Sequence, residues 1–190
     1  MSEVSRRDWL KSTALAATLG GVDLEAAQHV HHEAAAEMAR TGAYTPKVFS
    51  EHEWKTLDLL AEMVCPGARQ GGAKEFIDLL ASGNDELASI FTGGLGWLDQ
   101  ECRRRHGAAF LDAAEAQRTA LLDRIAYRKN QTPELAAGIR FFEWVRKMVF
   151  DAYYPSGAGI REIGYRGNGA ATEFTIPAGA IDYAIRRSPA

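Results

Sequence analysis

Apolar residues recur through the middle of this chain at intervals of three and four, in runs that are short and separated by clear stop signals. Trp54, Leu57, Ala61 and Val64 make one such stripe, which is one face of a helix. Ser50-Glu51-His52-Glu53 stands before it as a capping box, in which Ser50 and Glu53 satisfy each other's free amides. Pro66-Gly67 stops it. A short helix around Lys74 to Ala81 follows, and a longer one starts near Asn84 with Leu87, Phe91, Leu95, Leu98 and Cys102 on a single stripe. Asp112-Ala113-Ala114-Glu115 opens another helix with a second box, carrying Leu121, Leu122 and Ile125. Thr132-Pro133-Glu134 supplies a cap and an N1 proline for the last long helix, whose core face is Leu135, Ile139, Phe142, Val145 and Val149. The pattern predicts an all-α fold, a small helical bundle over residues 46–152.

The flanks read differently. Residues 23–45 are rich in Ala, Glu and His and read as a linker or helix, after which Tyr44 to Phe49 enters the bundle as an extended run. From Tyr153 onward, Tyr-Tyr-Pro-Ser-Gly-Ala-Gly and then Gly-Tyr-Arg-Gly-Asn-Gly mix glycine with aromatic and aliphatic residues. Such a segment is too broken for a long helix and too apolar for a plain disordered linker. Residues 153–190 are therefore expected to form an extended tail on a surface, and composition leaves open whether that surface is the chain's own bundle or another subunit.

At the other end, Ser5-Arg6-Arg7-Asp8-Trp9-Leu10-Lys11 has the pattern of a twin-arginine (Tat) export signal, with Trp9 where Phe is commoner. Ser12 to Val22 is apolar but short, which suits a signal segment over 1–22 and falls below the ~18 to 20 apolar residues that span a bilayer. The Tat translocase carries folded proteins, so the chain is expected in the periplasm, holding a cofactor of its own or travelling with a partner that does. A net charge of −3 over 190 residues gives no general attraction to nucleic acid. The basic run Arg103-Arg104-Arg105-His106 ends a helix and complements its dipole.

Candidate chemistry is sparse. Cys65 follows Ala61 by four and Cys102 follows Leu98 by four, so both fall on apolar stripes. In an exported protein such a pair is expected to form a disulfide, the alternative being two buried thiols. His29, His32 and Glu33 share a helix face, with His31 beside them, and offer a weak divalent-cation site. A solvated linker explains them better, and no metal ligand is assigned. His52 and His106 have no nucleophile or carboxylate at a telling spacing and read as structural or exposed. Thr92-Gly93-Gly94-Leu95-Gly96 lies inside a helical stripe and allows close helix packing. No Gly-x-Gly-x-x-Gly follows a strand, no Cys-x-x-Cys-His or Gly-x-Ser-x-Gly occurs, and two cysteines cannot hold an iron–sulfur cluster. No catalytic or cofactor-binding residue is assigned.

Four blocks resemble the gluconate 2-dehydrogenase subunit 3 family, over about residues 46 to 170. They are Phe49 to Leu57 running on to Pro66; Gly72 to Asp78; Gly94-Leu95-Gly96-Trp97-Leu98-Asp99 with Arg103 to Gly107; and Tyr153-Tyr154-Pro155-Ser156 followed by Gly159 to Asn168. The fourth is the most specific, although Ala152 stands where the family has glycine and Pro155-Ser156 replaces Thr-Ser. The resemblance implies a non-catalytic small subunit whose large partner is similar to glucose–methanol–choline oxidoreductases. That partner binds FAD and oxidises a sugar, sugar acid or glycoside, and in many such systems a cytochrome c takes the electrons. The small subunit is then expected to supply the export signal and stabilise the flavin chain. Tyr153, Tyr154, Ile160, Ile163, Tyr165 and Asn168 are the expected partner contacts. The rival reading is a self-sufficient periplasmic helical protein that binds a metal or ligand.

Overall fold

The bundle begins as its spacing predicts. Ser50 Oγ accepts the amide of Glu53 at 3.4 Å, and Glu53 Oε2 accepts the amide of Ser50 at 2.9 Å. A computed structural model describes residues 24–166, 176 and 179–187, and among these every regular element is a helix. We number them α1 (Leu24–Thr41), α2 (Glu51–Val64), α3 (Ala73–Ser82), α4 (Asp85–His106), α5 (Glu115–Ile125), α6 (Ala136–Tyr153), α7 (Gly157–Glu162) and α8 (Ala180–Arg187).

The short α3 is the centre of the fold. It is apolar nearly all round, and Phe76, Ile77, Leu79 and Leu80 are buried on all its sides, as such a helix must be. It packs against α1, α2, α4 and α6. Asn84 then caps α4, its side chain accepting the Leu87 amide at 2.9 Å, and the predicted stripe Leu87, Phe91, Leu95, Leu98 and Cys102 is buried throughout. Gly107, at φ +76°, ends α4 in the left-handed conformation that closes a helix.

Residues 24–41 form the helix α1, which buries Ala27, Val30 and Ala34 against α3 and α6. Three expectations are corrected. The second capping box is half a box, because the cap is Ala114, which has no side-chain acceptor; only Gln117 Oε1 accepts back from the Ala114 amide, at 3.0 Å. A turn from Thr132 precedes α6, which starts at Ala136, and Thr132 O accepts the Ala136 amide at 2.9 Å. The tail is not simply extended, since it holds α7 and α8. Ser156 starts α7 by donating to Tyr153 O at 2.6 Å and accepting from the Gly159 amide at 3.2 Å. Gly159 permits this fold-back, because a Cβ there would stand 2.2 Å from Tyr153 O.

Candidate functional site

Two buried carboxylates, neither singled out by the sequence, organise the bundle. Asp78 on α3 accepts the Tyr44 hydroxyl and the Lys47 amide at 2.8 Å each, the Val48 amide at 3.0 Å and the Phe49 amide at 3.4 Å. This one side chain ties the entry segment to the core. Asp99 on α4 takes His52 Nε2 at 2.5 Å on one oxygen and the Phe110 amide at 2.9 Å on the other. His52 thus does find a carboxylate, 47 residues away, where spacing could not reveal it. Both carboxylates are occupied by the chain's own donors and act as struts.

The expected partner contacts divide. Tyr153 is only 5% exposed and faces inward. Its ring fills the space over Gly71, where a Cβ would stand 2.7 Å from Cδ2, and it also covers Gly67. Its hydroxyl donates to Glu162, and that carboxylate pushes the phenol pKa up to about 12. Tyr153 therefore locks α7 and the α2–α3 turn to α6 and is not a surface contact. Tyr154, Ile163 and Tyr165 are exposed, at 44%, 56% and 48%. Ile160 is half-buried, and Asn168 lies outside the described residues. Further along, Ile176 is exposed, and α8 buries none of its residues and exposes Ile181, Tyr183 and Ile185. Among the described residues, eight of the ten exposed large apolar side chains lie at or beyond Phe150 in the sequence, so the uncovered apolar surface comes mainly from the C-terminal part of the chain.

Beside this surface, α1, α3 and α7 enclose an open groove of about 460 Å³, with His31, Gly72, Glu75 and Ile160 in its lining. His31 Nε2 meets Ala152 O at 2.7 Å, and its ring packs on Phe76 with centroids 5.2 Å apart. A carbonyl only accepts, so Nε2 carries the proton. Burial lowers the His31 pKa and raises that of Glu75. Glu75 Oε2 is buried without a hydrogen-bond partner among the described residues.

The remaining candidates do not form sites. Cys65 and Cys102 are free and buried, which corrects the disulfide. They occupy different surroundings: Cys65 lies near Glu62 and Glu162, Cys102 near Asp99 and Arg118. Desolvation pushes both thiols up. Among the described residues no three His, Cys, Asp or Glu side chains group to hold a metal; His31 is turned inward, away from the solvated face of α1 that carries His29 and His32. No described helix is long and apolar enough to cross a membrane. Ser5, Arg6, Arg7, Trp9, Leu10 and Lys11 lie outside the described residues.

Compared with known proteins, residues 51–169 match the family described as gluconate 2-dehydrogenase subunit 3. The chain belongs to that family. The match runs from the first residue of α2 through the bundle and α7. Membership makes the chain an accessory subunit of a dehydrogenase complex. No curated protein and no solved structure matches the chain.

Proposed function

We propose that this chain is the non-catalytic small subunit of a periplasmic, FAD-dependent dehydrogenase that oxidises an alcohol carbon of a sugar, sugar acid or glycoside. The flavin belongs to a catalytic subunit of the glucose–methanol–choline type. The small subunit brings the Tat signal of Arg6 and Arg7 to the complex and stabilises the flavin chain, and a cytochrome c takes the electrons. The observation that carries this reading is the exposure of Tyr154, Ile163, Tyr165, Ile176, Ile181, Tyr183 and Ile185 on a chain of this family. Aromatic and aliphatic side chains so exposed suit a pre-shaped partner surface, where a few of them supply most of the binding energy. Export fits as well: non-covalent FAD is loaded in the cytosol, so the catalytic subunit crosses folded, and one signal serves both chains.

The test is affinity purification of the tagged chain from its native cells under gentle conditions. A larger chain with a flavin absorbance spectrum is the expected companion; a lone, colourless protein would overturn the reading. Replacing Arg6 and Arg7 by lysine should leave both chains in the cytosol, and unchanged export would remove the Tat element of the proposal.

A further inference from the structure

Little apolar surface holds α1 to the bundle. Its buried side chains among the described residues are Ala27, Val30 and Ala34, and it precedes the family-matched residues 51–169. An element with so few buried apolar groups opens at low cost. Two titratable side chains stand at its junction with α3 and α6. His31 sets its ring on Phe76 of α3, with centroids 5.2 Å apart, and gives its Nε2 proton to Ala152 O of α6 at 2.7 Å. Glu75 of α3 lines the same groove, and its Oε2 is buried with no hydrogen-bond partner among the described residues. The donor that does reach this carboxyl is Glu75's own backbone amide. Lys74 is drawn off to Asp58, 2.9 Å from its Nζ, while Asp58 and Asp78 add like charge around Glu75. His31 faces His32 on its own helix. The turn before α7 and α7 itself bring Pro155, Ser156, Gly157 and Ile160 to the groove, none of which titrates.

Burial acts on the two groups in opposite senses. A desolvated imidazole prefers to be neutral, and a desolvated carboxyl short of donors prefers to keep its proton, so the His31 pKa falls and that of Glu75 rises. Because α1 forms one wall of the groove, releasing it returns both groups to water. The contribution of His31 to docking is present above its ordinary value, 6.5, and is lost as pH falls through the lowered one. That of Glu75 is present below its ordinary value, 4.5, and is lost as pH rises through the raised one. Glu37, the other α1 group tied to the bundle, is held below the usual carboxylate range by Lys47 at 3.0 Å and stays ionised above that range. We propose that His31 and Glu75 form a compensated pair that keeps α1 docked as pH changes, the one loosening and the other tightening the helix on acidification. Either group alone would make docking pH-dependent; together their opposed titrations offset each other between about pH 5 and 7.5.

The experiment is amide hydrogen exchange of α1 in the full chain at about pH 5 and about pH 7.5, corrected for the intrinsic pH dependence of exchange. It is run on the native chain, His31→Gln, Glu75→Gln and the double variant. Glutamine at 31 keeps a donor for Ala152 O, and glutamine at 75 mimics the neutral carboxyl, so the docked helix is retained. In Glu75→Gln, where His31 titrates alone, opening should be about twofold or more greater at the lower pH. In His31→Gln, where Glu75 titrates alone, it should be about twofold or more smaller at the lower pH. The double variant should show no change with pH, and the native chain should fall between the two single variants. Slopes of the same sign in the two single variants, or slopes equal to that of the native chain, would overturn the proposal. Unprotected α1 amides in the native chain at both pH values would overturn it too.

Discussion

The Phe141 ring on α6 occupies the space in which Gly94 of α4 would otherwise carry a side chain: a Cβ built on Gly94 falls 1.9 Å from Phe141 Cδ2. The reciprocal pair lies alongside, where a Cβ on Gly138 of α6 would stand 2.1 Å from Trp97 Cη2 of α4. Each helix thus gives up a side chain to admit the other's aromatic ring, and the two pairs fix the register of α4 on α6. Replacing Gly94 by alanine should cost about 2–3 kcal/mol through overpacking. Gly93 and Gly96 meet nothing within 4 Å, so alanine there should stabilise by about 0.5–1 kcal/mol. Urea unfolding of the three variants measures the contrast; equal effects would mean that the interlock is not formed.

Asp78 should be the most sensitive polar position. Asparagine keeps one acceptor and turns an amide group toward backbone donors, leaving buried N–H groups unmatched, at a cost of about 3 kcal/mol. Tyr44→Phe removes a single bond and should cost about 1 kcal/mol. Hydrogen exchange at Lys47 and Val48 should accelerate in Asp78→Asn if the carboxylate holds the entry segment as the distances indicate.

Glu101 gives the fold an acid limit. Arg104, with 2.7 and 2.8 Å bonds, and Arg105 at 2.6 Å hold its carboxyl down to about 2. A folded-state pKa below the unfolded value contributes stability that is fully present above the unfolded pKa, near 4.3, and is lost as pH falls through the folded one. Glu101→Gln should therefore cost about 1 kcal/mol at neutral pH, the exposed Arg104 guanidinium being screened by water. That difference should shrink as pH drops from about 5 towards 2. A pH-independent difference would show that the ion pairs contribute nothing.

Tyr153 and Tyr154 are adjacent in sequence and should separate cleanly in effect. Tyr153→Ala empties the space over Gly67 and Gly71 and should lower stability by about 3 kcal/mol or more. Tyr153→Phe should cost about 1 kcal/mol and leave partner affinity unchanged. Tyr154→Ala should barely move stability and should weaken the complex, as should Ile163→Asp. Thermal unfolding beside a pull-down of the flavin subunit reads both quantities.

Both cysteines should resist thiol reagents in the folded chain and react after unfolding. Cys65 is 7% exposed and Cys102 fully buried, and their raised pKa values leave little thiolate at neutral pH. A titre of two thiols in denaturant without reductant is the expected result, and a titre of zero would restore the disulfide.

The helices were legible because what specifies them is local. Stripe spacing placed α2 to α6, Ser50 and Asn84 marked two starts, and the glycine run in α4 announced a close approach. The inward turn of Tyr153 is not legible in the tail, for an equally physical reason. A tyrosine beside glycines suits a surface tail and an interior lock alike, and only the positions of Gly67 and Gly71, more than eighty residues earlier in the chain, decide between them. Cys65 and Cys102 are both buried, but a buried stripe on each of two helices does not by itself bring two thiols together.

By itself the sequence determined the all-α class, the order of α2 to α6, the starts of α2 and α4, their buried stripes and the family, since each follows from periodicity, capping or a contiguous motif within a few turns of chain. Tertiary structure alone decided which polar atoms face one another. His52 meets Asp99, Asp78 gathers the amides of residues 47–49, and His31 meets the carbonyl of Ala152. Such meetings depend on how helices far apart in sequence cross and at what depth they pack. Those quantities belong to the assembled core, and no local spacing carries them.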